Sequence, residues 1–178
     1  MTNAMDDEPS SSTRASGTQA NTISVDILDD EHALDPSARA WIASAVRRVC
    51  AQLPNSGEIR VSIINDQRMR QQHNKYSGLD TTTDVLTFDL ASDQAPNSSK
   101  VLDADLFVCA DEAQRQAQSR KHDTKHELLL YIVHGVLHCI GYDDHDEENY
   151  QRMHAREDEL LSAAGFGALF HSSTENNS

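Results

Sequence analysis

The sequence predicts a mixed α/β layer fold of four strands and about five helices in one domain. Three observations carry this. Short segments of apolar–polar alternation are interleaved with segments of helical spacing. The 178 residues, 38% of them hydrophobic, match one domain with a sizeable core. Thr124–Ile140 is apolar on almost every side, which predicts a helix buried within the layers.

Thr22–Leu28 alternates and predicts the first strand. Asp35 before Pro36 signals a helix start, a capping side chain followed by a residue with preset φ. Helical spacing then runs through Trp41, Ile42, Ala45, Val46 and Val49 and ends near Pro54. Glu58–Ile64 predicts a second strand, Asp66–Tyr76 a helix, and Ser77-Gly78 a turn into a third strand at Thr83–Leu90. Residues 91–100 are polar and predict a loop before a fourth strand, Ala104–Cys109. Three helices follow: Asp111–Arg120, the apolar Thr124–Ile140, and Glu147–Ala164 with Tyr150, Met153, Leu160 and Leu161 on one side. Residues 1–22 and 173–178 are too polar to pack and predict disordered tails, leaving 23–172 as the domain.

With 29 acidic against 15 basic side chains, the net charge is −14, which argues against a surface broadly coated in nucleic acid. The charge is unevenly placed. Residues 101–172 hold fourteen acids and six bases, whereas Ile59–Leu79 carries Arg60, Arg68, Arg70 and Lys75 against Asp66 alone. The distribution permits a narrow positive cleft and predicts weak, salt-sensitive substrate binding. No apolar run reaches the roughly 18 residues of a membrane span. The first twenty residues lack the apolar core of a secretory signal. Cys50, Cys109 and Cys139 are odd in number and widely spaced, which suits reduced thiols in a cytoplasm.

His134 and His138 stand one turn apart on the long helix, so both imidazoles leave the same face and can offer two nitrogens to one metal. Gly141 follows where a helix needs a residue tolerant of left-handed φ to stop. The chain can then return through Tyr142, Asp143 and Asp144 to present His145. Three neutral histidines would hold Zn²⁺ with a fourth position open, the arrangement of a catalytic site. Such a pair alone often arises by chance. The apolar helix, the glycine stop and the third histidine together favour a metal. The spacing approaches that of zinc peptidases, but Gly135 stands where their general-base glutamate belongs.

HGVLHCIGYDDH resembles the HGxLHLxGYDH signature of the YbeY family of bacterial metal-dependent endoribonucleases, an rRNA maturation factor family. YSGLDTTTDVLTFDL resembles that family's YRGxDKPTDVLSFP, and DADLFVCADEAQRQA resembles its GDIxIS strand and following helix. The three motifs follow in family order between Tyr76 and His145, within Ile23–Ala164. The resemblance implies an α+β fold, a small mixed four-stranded sheet packed by helices, one of them a zincin-like metal-binding helix. It further implies one Zn²⁺ on His134, His138 and His145, with His134 in the catalytic centre. The implied activity is cleavage of single-stranded RNA, in maturing the 3′ end of the 16S rRNA precursor and in ribosome quality control. The implied partners are the small ribosomal subunit and its associated factors. The signature's third histidine directly follows GYD, so Asp144 reads as an insertion and His145 as the ligand. The family's arginine after the tyrosine falls on Ser77, so Arg70 or Lys75 substitutes or that role is lost.

Arg60, Arg70, Lys75 and Ser77 are the candidate substrate-binding residues, with a solvated helix surface as the competing reading. Asp84 and Asp143 are candidates to orient a ligand imidazole, or ordinary turn formers. His154 reads as a surface histidine, with a fourth ligand as the alternative, and Met153 and Cys139 as core. His32, His73, His122, His126 and His171 have no partner spacing. Two rival functions stay open: another zinc hydrolase, a peptidase or amidase, and a non-catalytic ribosome-binding module whose metal site is closed and structural.

Overall fold

The computed structural model describes residues 22–91 and 101–169. The expected tails at 1–21 and 173–178, His171, and residues 92–100 of the expected loop lie outside the described residues. Along the chain run β1 (Ile23–Leu28), α1 (Pro36–Cys50), β2 (Gly57–Ile64), α2 (Asp66–Ser77), β3 (Val85–Asp89), β4 (Leu102–Cys109), α3 (Ala110–Arg120), α4 (Thr124–Cys139) and α5 (Glu147–Ala163). Each element matches one expected from the sequence, and β4 begins two residues earlier than its apolar pattern suggested.

The sheet has the order β1-β2-β4-β3, with β1, β2 and β4 parallel and β3 antiparallel at the edge. A mixed four-stranded sheet with five helices is the expected α+β class. Strand alternation gives the sheet two unlike faces. Ile59, Val61 and Ile63 of β2 and Ala104, Leu106 and Val108 of β4 are at most 1% exposed, and this face carries α1 and α4. On the opposite face Arg60 stands in register with Asp105, and Ser62 with Phe107. Only a small cluster forms there: Ile64, Met69 of α2 and Cys109, with Leu86 and Phe107 packed against it.

Helix starts follow the sequence signals. Asp35 accepts from the Ser37 and Ala38 amides at 2.8 and 3.0 Å, Asn65 from Arg68, Asp123 from Lys125 and Asp146 from Asn149. Helix α3 has no side-chain cap of its own, but its Asp111 accepts from the Asp66 amide at 2.8 Å and so ties the starts of α2 and α3 together. All three cysteines are buried and outside any disulfide, Cys139 within the core as expected. Met153 is fully buried.

Helix α4 is the element around which the others assemble. Leu128, Leu129, Ile132 and Leu137 are completely buried, and the helix touches α1, α3, α5, β3 and β4. It approaches the sheet at Gly135. A Cβ there would lie 2.7 Å from Leu106 Cδ2, 2.8 Å from Thr87 Cγ2 and 3.2 Å from Val85 Cγ2. The residue beside His134 therefore faces strands β3 and β4, and no side chain fits between. Gly135→Ala gains about 1 kcal/mol of helix propensity but overpacks the core at a cost of about 1–3 kcal/mol. The expected result is a net loss of up to about 2 kcal/mol and a lower urea midpoint; a raised midpoint would contradict the close approach.

Candidate metal centre and cleft

Helix α4 ends in two nested hydrogen bonds from amides beyond it to carbonyls of its last turn. The Gly141 amide donates to the His138 carbonyl at 3.0 Å, and the Tyr142 amide to the Leu137 carbonyl at 3.0 Å. Gly141 has φ +99°, the left-handed conformation this ending requires. The chain therefore turns back over the last turn of α4, and the Tyr142 carbonyl meets His138 Nδ1 at 3.2 Å. His134 Nδ1 lies 2.7 Å from Glu157 Oε1 of α5. Each ring thus presents Nδ1–H to an oxygen acceptor, which leaves a lone pair on each Nε2. The two Nε2 atoms converge at 3.1 Å. Two lone pairs facing each other at that distance repel unless a proton or a cation lies between them.

The edges of the site fit a cation. Asp144 Oδ2 is 3.7 Å from His134 Nε2 and 3.9 Å from His138 Nε2, so three donor atoms form one triangle. For a tetrahedral ion with bonds of roughly 2.0–2.2 Å, donors should stand about 3.4 Å apart. His145, the expected third ligand, is placed otherwise. Its side chain is 84% exposed and its Nδ1 is bonded to Asp143, which raises the His145 pKa. His145 borders the cleft but does not join the donor triangle.

Glu157 is the residue that sequence reasoning missed. Its carboxylate is wholly buried and spans two rings, His134 at 2.7 Å and His154 Nδ1 at 2.5 Å. His154 is 7% exposed, so it is not a surface histidine, and it belongs neither to the donor group of His134, His138 and Asp144 nor to the walls of the cleft above them. Burial is the largest influence on Glu157 and pushes its pKa up, but the hydrogen bonds and charges of His134 and His154 outweigh it, and the net shift is downward from 4.5. Burial likewise disfavours the charged form of His134. The Glu157 hydrogen bond, then the Glu157, Asp84 and Asp144 charges, reverse that and raise its pKa. The spacing of Glu157 from His154, three residues on one helix face, was a visible signal; its meeting with His134 across two helices was not.

The cleft over the histidines, of about 420 Å³, is walled by Thr83–Thr87 opposite His134, His138 and Asp144. Through Thr83 and Asp84 it adjoins a second hollow of about 390 Å³ that Arg120 and Tyr131 line. Through Thr82 and Glu112 it reaches a third, of about 900 Å³, with Arg70 and Arg115 on its walls. Arg120 is held there by Glu127, a fully buried carboxylate, at 2.7 Å. Arg115 forks onto Asp66 at 2.6 and 2.8 Å. Neither arginine stood out in the sequence, since each sits in an ordinary polar helix face.

The candidate substrate residues are scattered. Arg60 lies on the sheet face opposite α4 and is bonded to Glu58, to Asp103 at 2.7 Å and to Asp105 at 2.5 Å, away from the histidine cleft. Register explains this, because Arg60 and Asp105 share a face and Leu106, which meets α4, has the other. Arg70 borders the groove and pairs with Asp80 at 3.2 Å. Lys75 lies over the Tyr76 ring, and Ser77 is exposed at the end of α2. Among the described residues the Asp84 carboxylate bonds Thr83 and the Val85 amide, not an imidazole. Asp143 accepts from the Asp144 and His145 amides at 2.8 and 3.3 Å.

Two consequences attach to Glu157. With a native pKa below its unfolded value, its contribution to stability is complete above pH 4.5 and is lost as pH falls through the lower native value. Glu157→Gln should therefore lessen the acid-side loss of thermal stability. As an imidazole-orienting partner, its replacement should also weaken metal binding about 10–100-fold. A titration with Zn²⁺ that finds unaltered affinity would refute the positioning role.

Comparison with known proteins agrees with this architecture. The family model described as Endoribonuclease YbeY matches residues 24–165. An Endoribonuclease YbeY from Heliobacterium modesticaldum is 37% identical over 117 residues, 61% of this chain and 70% of that protein. Those from Geobacillus thermodenitrificans and from an Anaeromyxobacter species are 29% and 32% identical, over 81% and 78% of this chain and 97% and 71% of theirs. The solution structure of TM1509 from Thermotoga maritima superposes with a TM-score of 0.55 at 19% identity, covering 86% of this chain and 93% of that one. With a family model matched over most of its length, this chain belongs to the YbeY family of endoribonucleases.

Proposed function

We propose that this protein is a zinc-dependent endoribonuclease that hydrolyses phosphodiesters of single-stranded RNA. Family membership supports the reaction. The observation that carries the metal is the convergence of two Nε2 lone pairs at 3.1 Å on the wall of an open cleft. His134 and His138 hold the ion, with a third donor from the Asp143–His145 turn. A divalent cation there supplies Lewis-acid chemistry, polarising a phosphoryl oxygen and lowering the pKa of water to about 7.

The chain's own residues do the rest. Glu157 keeps the Nδ1 proton of His134, and the Tyr142 carbonyl keeps that of His138, so neither ring can rotate its donor nitrogen away. The strand β3 wall narrows the cleft, and the adjoining hollows carry it past Arg120 towards Arg70 and Arg115. A single strand can follow such a groove with its backbone at the histidines, whereas a stiff duplex cannot bend into it. Because each of these arginines already meets a carboxylate, phosphate gains little net charge there, which supports weak binding helped by a ribosomal partner.

The biological setting belongs to the same reading: 3′-end maturation of 16S rRNA and ribosome quality control, with precursor rRNA and the small subunit as partners. A cytoplasmic location is supported by three buried cysteines that form no disulfide. Among the described residues no helix is long and apolar enough to cross a membrane. Against a peptidase stands Gly135, which leaves no room for a general base at that position. Against a closed structural metal site stands the place of His154, outside the donor triangle and outside the cleft walls among the described residues.

Wild type and His134→Ala, incubated with single-stranded RNA, duplex RNA and casein, test the proposal. Wild type should cut only single-stranded RNA, chelator should stop it, and His134→Ala should be slower by at least about 100-fold, the scale of losing a main electrostatic stabiliser. Equal RNA cleavage by both proteins would sink it. Ser77→Arg restores the family cation at the end of α2. If that cation reaches substrate phosphate, the rate should rise about tenfold or more, matching the ~1.5–3 kcal/mol of a hydrogen bond to a charged group.

A further inference from the structure

We infer that the third metal donor in this protein is the Asp144 carboxylate, not the imidazole of His145, which makes the centre a two-histidine, one-carboxylate set. The assignment rests on the metal-dependent reading of the cleft and concerns which residue of the turn completes it. Asp144 Oδ2 closes a triangle with the two Nε2 atoms, whose edges of 3.1, 3.7 and 3.9 Å bracket the edge a small divalent ion needs. His145 is turned outward at 84% exposure, whereas the Asp144 side chain is 32% exposed and faces the histidines.

The turn itself enforces this choice. Asp143 Oδ1 accepts the backbone amides of both Asp144 and His145, and it also binds His145 Nδ1. Those three bonds lock consecutive residues with one side chain inward and the next outward. Asp144 also occupies the position directly after Gly141-Tyr142-Asp143, where the resembling signature has its third histidine, so this chain offers an oxygen donor at that place in the order.

The change has a chemical consequence. Two imidazoles and a carboxylate leave a divalent ion with one net positive charge instead of two, and the harder oxygen donor widens the range of ions the site accepts towards Mn²⁺ and Co²⁺. This chain should therefore be less selective for zinc than a centre of three histidines.

Chelator competition with Zn²⁺ and the visible spectrum of bound Co²⁺ separate the two ligands without reference to activity. Asp144→Ala and Asp144→Asn should each weaken binding by at least about 10–100-fold, the loss that even outer partners of metal ligands produce, and should alter the Co²⁺ spectrum. His145→Ala should bind within about threefold of wild type with an unchanged spectrum. Circular dichroism of the metal-free variants checks that the fold is kept. Weakening by His145→Ala with Asp144→Ala unaffected, or equal weakening by both, overturns the assignment while leaving a metal enzyme in place. A wild-type protein that takes up no stoichiometric metal overturns the metal reading itself.

Discussion

The close approach of helix α4 to strands β3 and β4 is the constraint on which the rest of the structure depends. Contact at that range is possible only because residue 135 has no side chain, so Leu106, Thr87 and Val85 can lie against the helix backbone. With α4 seated so deeply, its two neighbouring histidines cannot reach open solvent on all sides. They look instead into the gap between strand β3 and the turn that follows the helix. The missing glutamate of the peptidase pattern and the placement of the histidines are thus two results of one packing fact.

A second layer of order comes from helix α5. It brings a fully buried carboxylate, Glu157, between His134 and His154, and a buried charge of this kind is tolerable only with such partners. The resulting pairing settles which nitrogen of His134 is free. The backbone does the same work for His138 through the Tyr142 carbonyl. One imidazole is oriented by a charge and the other by a dipole, although their Nε2 atoms stand 3.1 Å apart.

Charge is distributed along the same lines. The histidine cleft and its adjoining hollows carry Arg70, Arg115 and Arg120 among the carboxylates of Asp66, Asp80, Asp84, Glu112 and Asp144. Each of these cations is paired locally, Arg120 with the buried Glu127 most firmly. The groove is therefore patterned more than it is positive. The basic stretch Ile59–Leu79 is not a free positive surface, because Arg60 is paired with Glu58, Asp103 and Asp105, Arg68 with Glu31 and Arg70 with Asp80.

The amino-acid order alone determined the succession of nine elements, because periodicity and capping are local properties that each segment carries with it. It also determined that His134 and His138 share a helix face and that the chain reverses at Gly141, since both depend on helical geometry within a few residues. Only the structure decided which side chain of the Asp143–His145 turn faces the histidines, because spacing alone does not say that Asp143 Oδ1 takes the next two amides and the His145 ring. Packing between α4 and α5 likewise made Glu157 the partner of His134 across 23 residues of sequence. Sheet register put Arg60 on the far face. Direction and distance between separate elements are not written in local spacing, and the chemistry of this cleft rests on both.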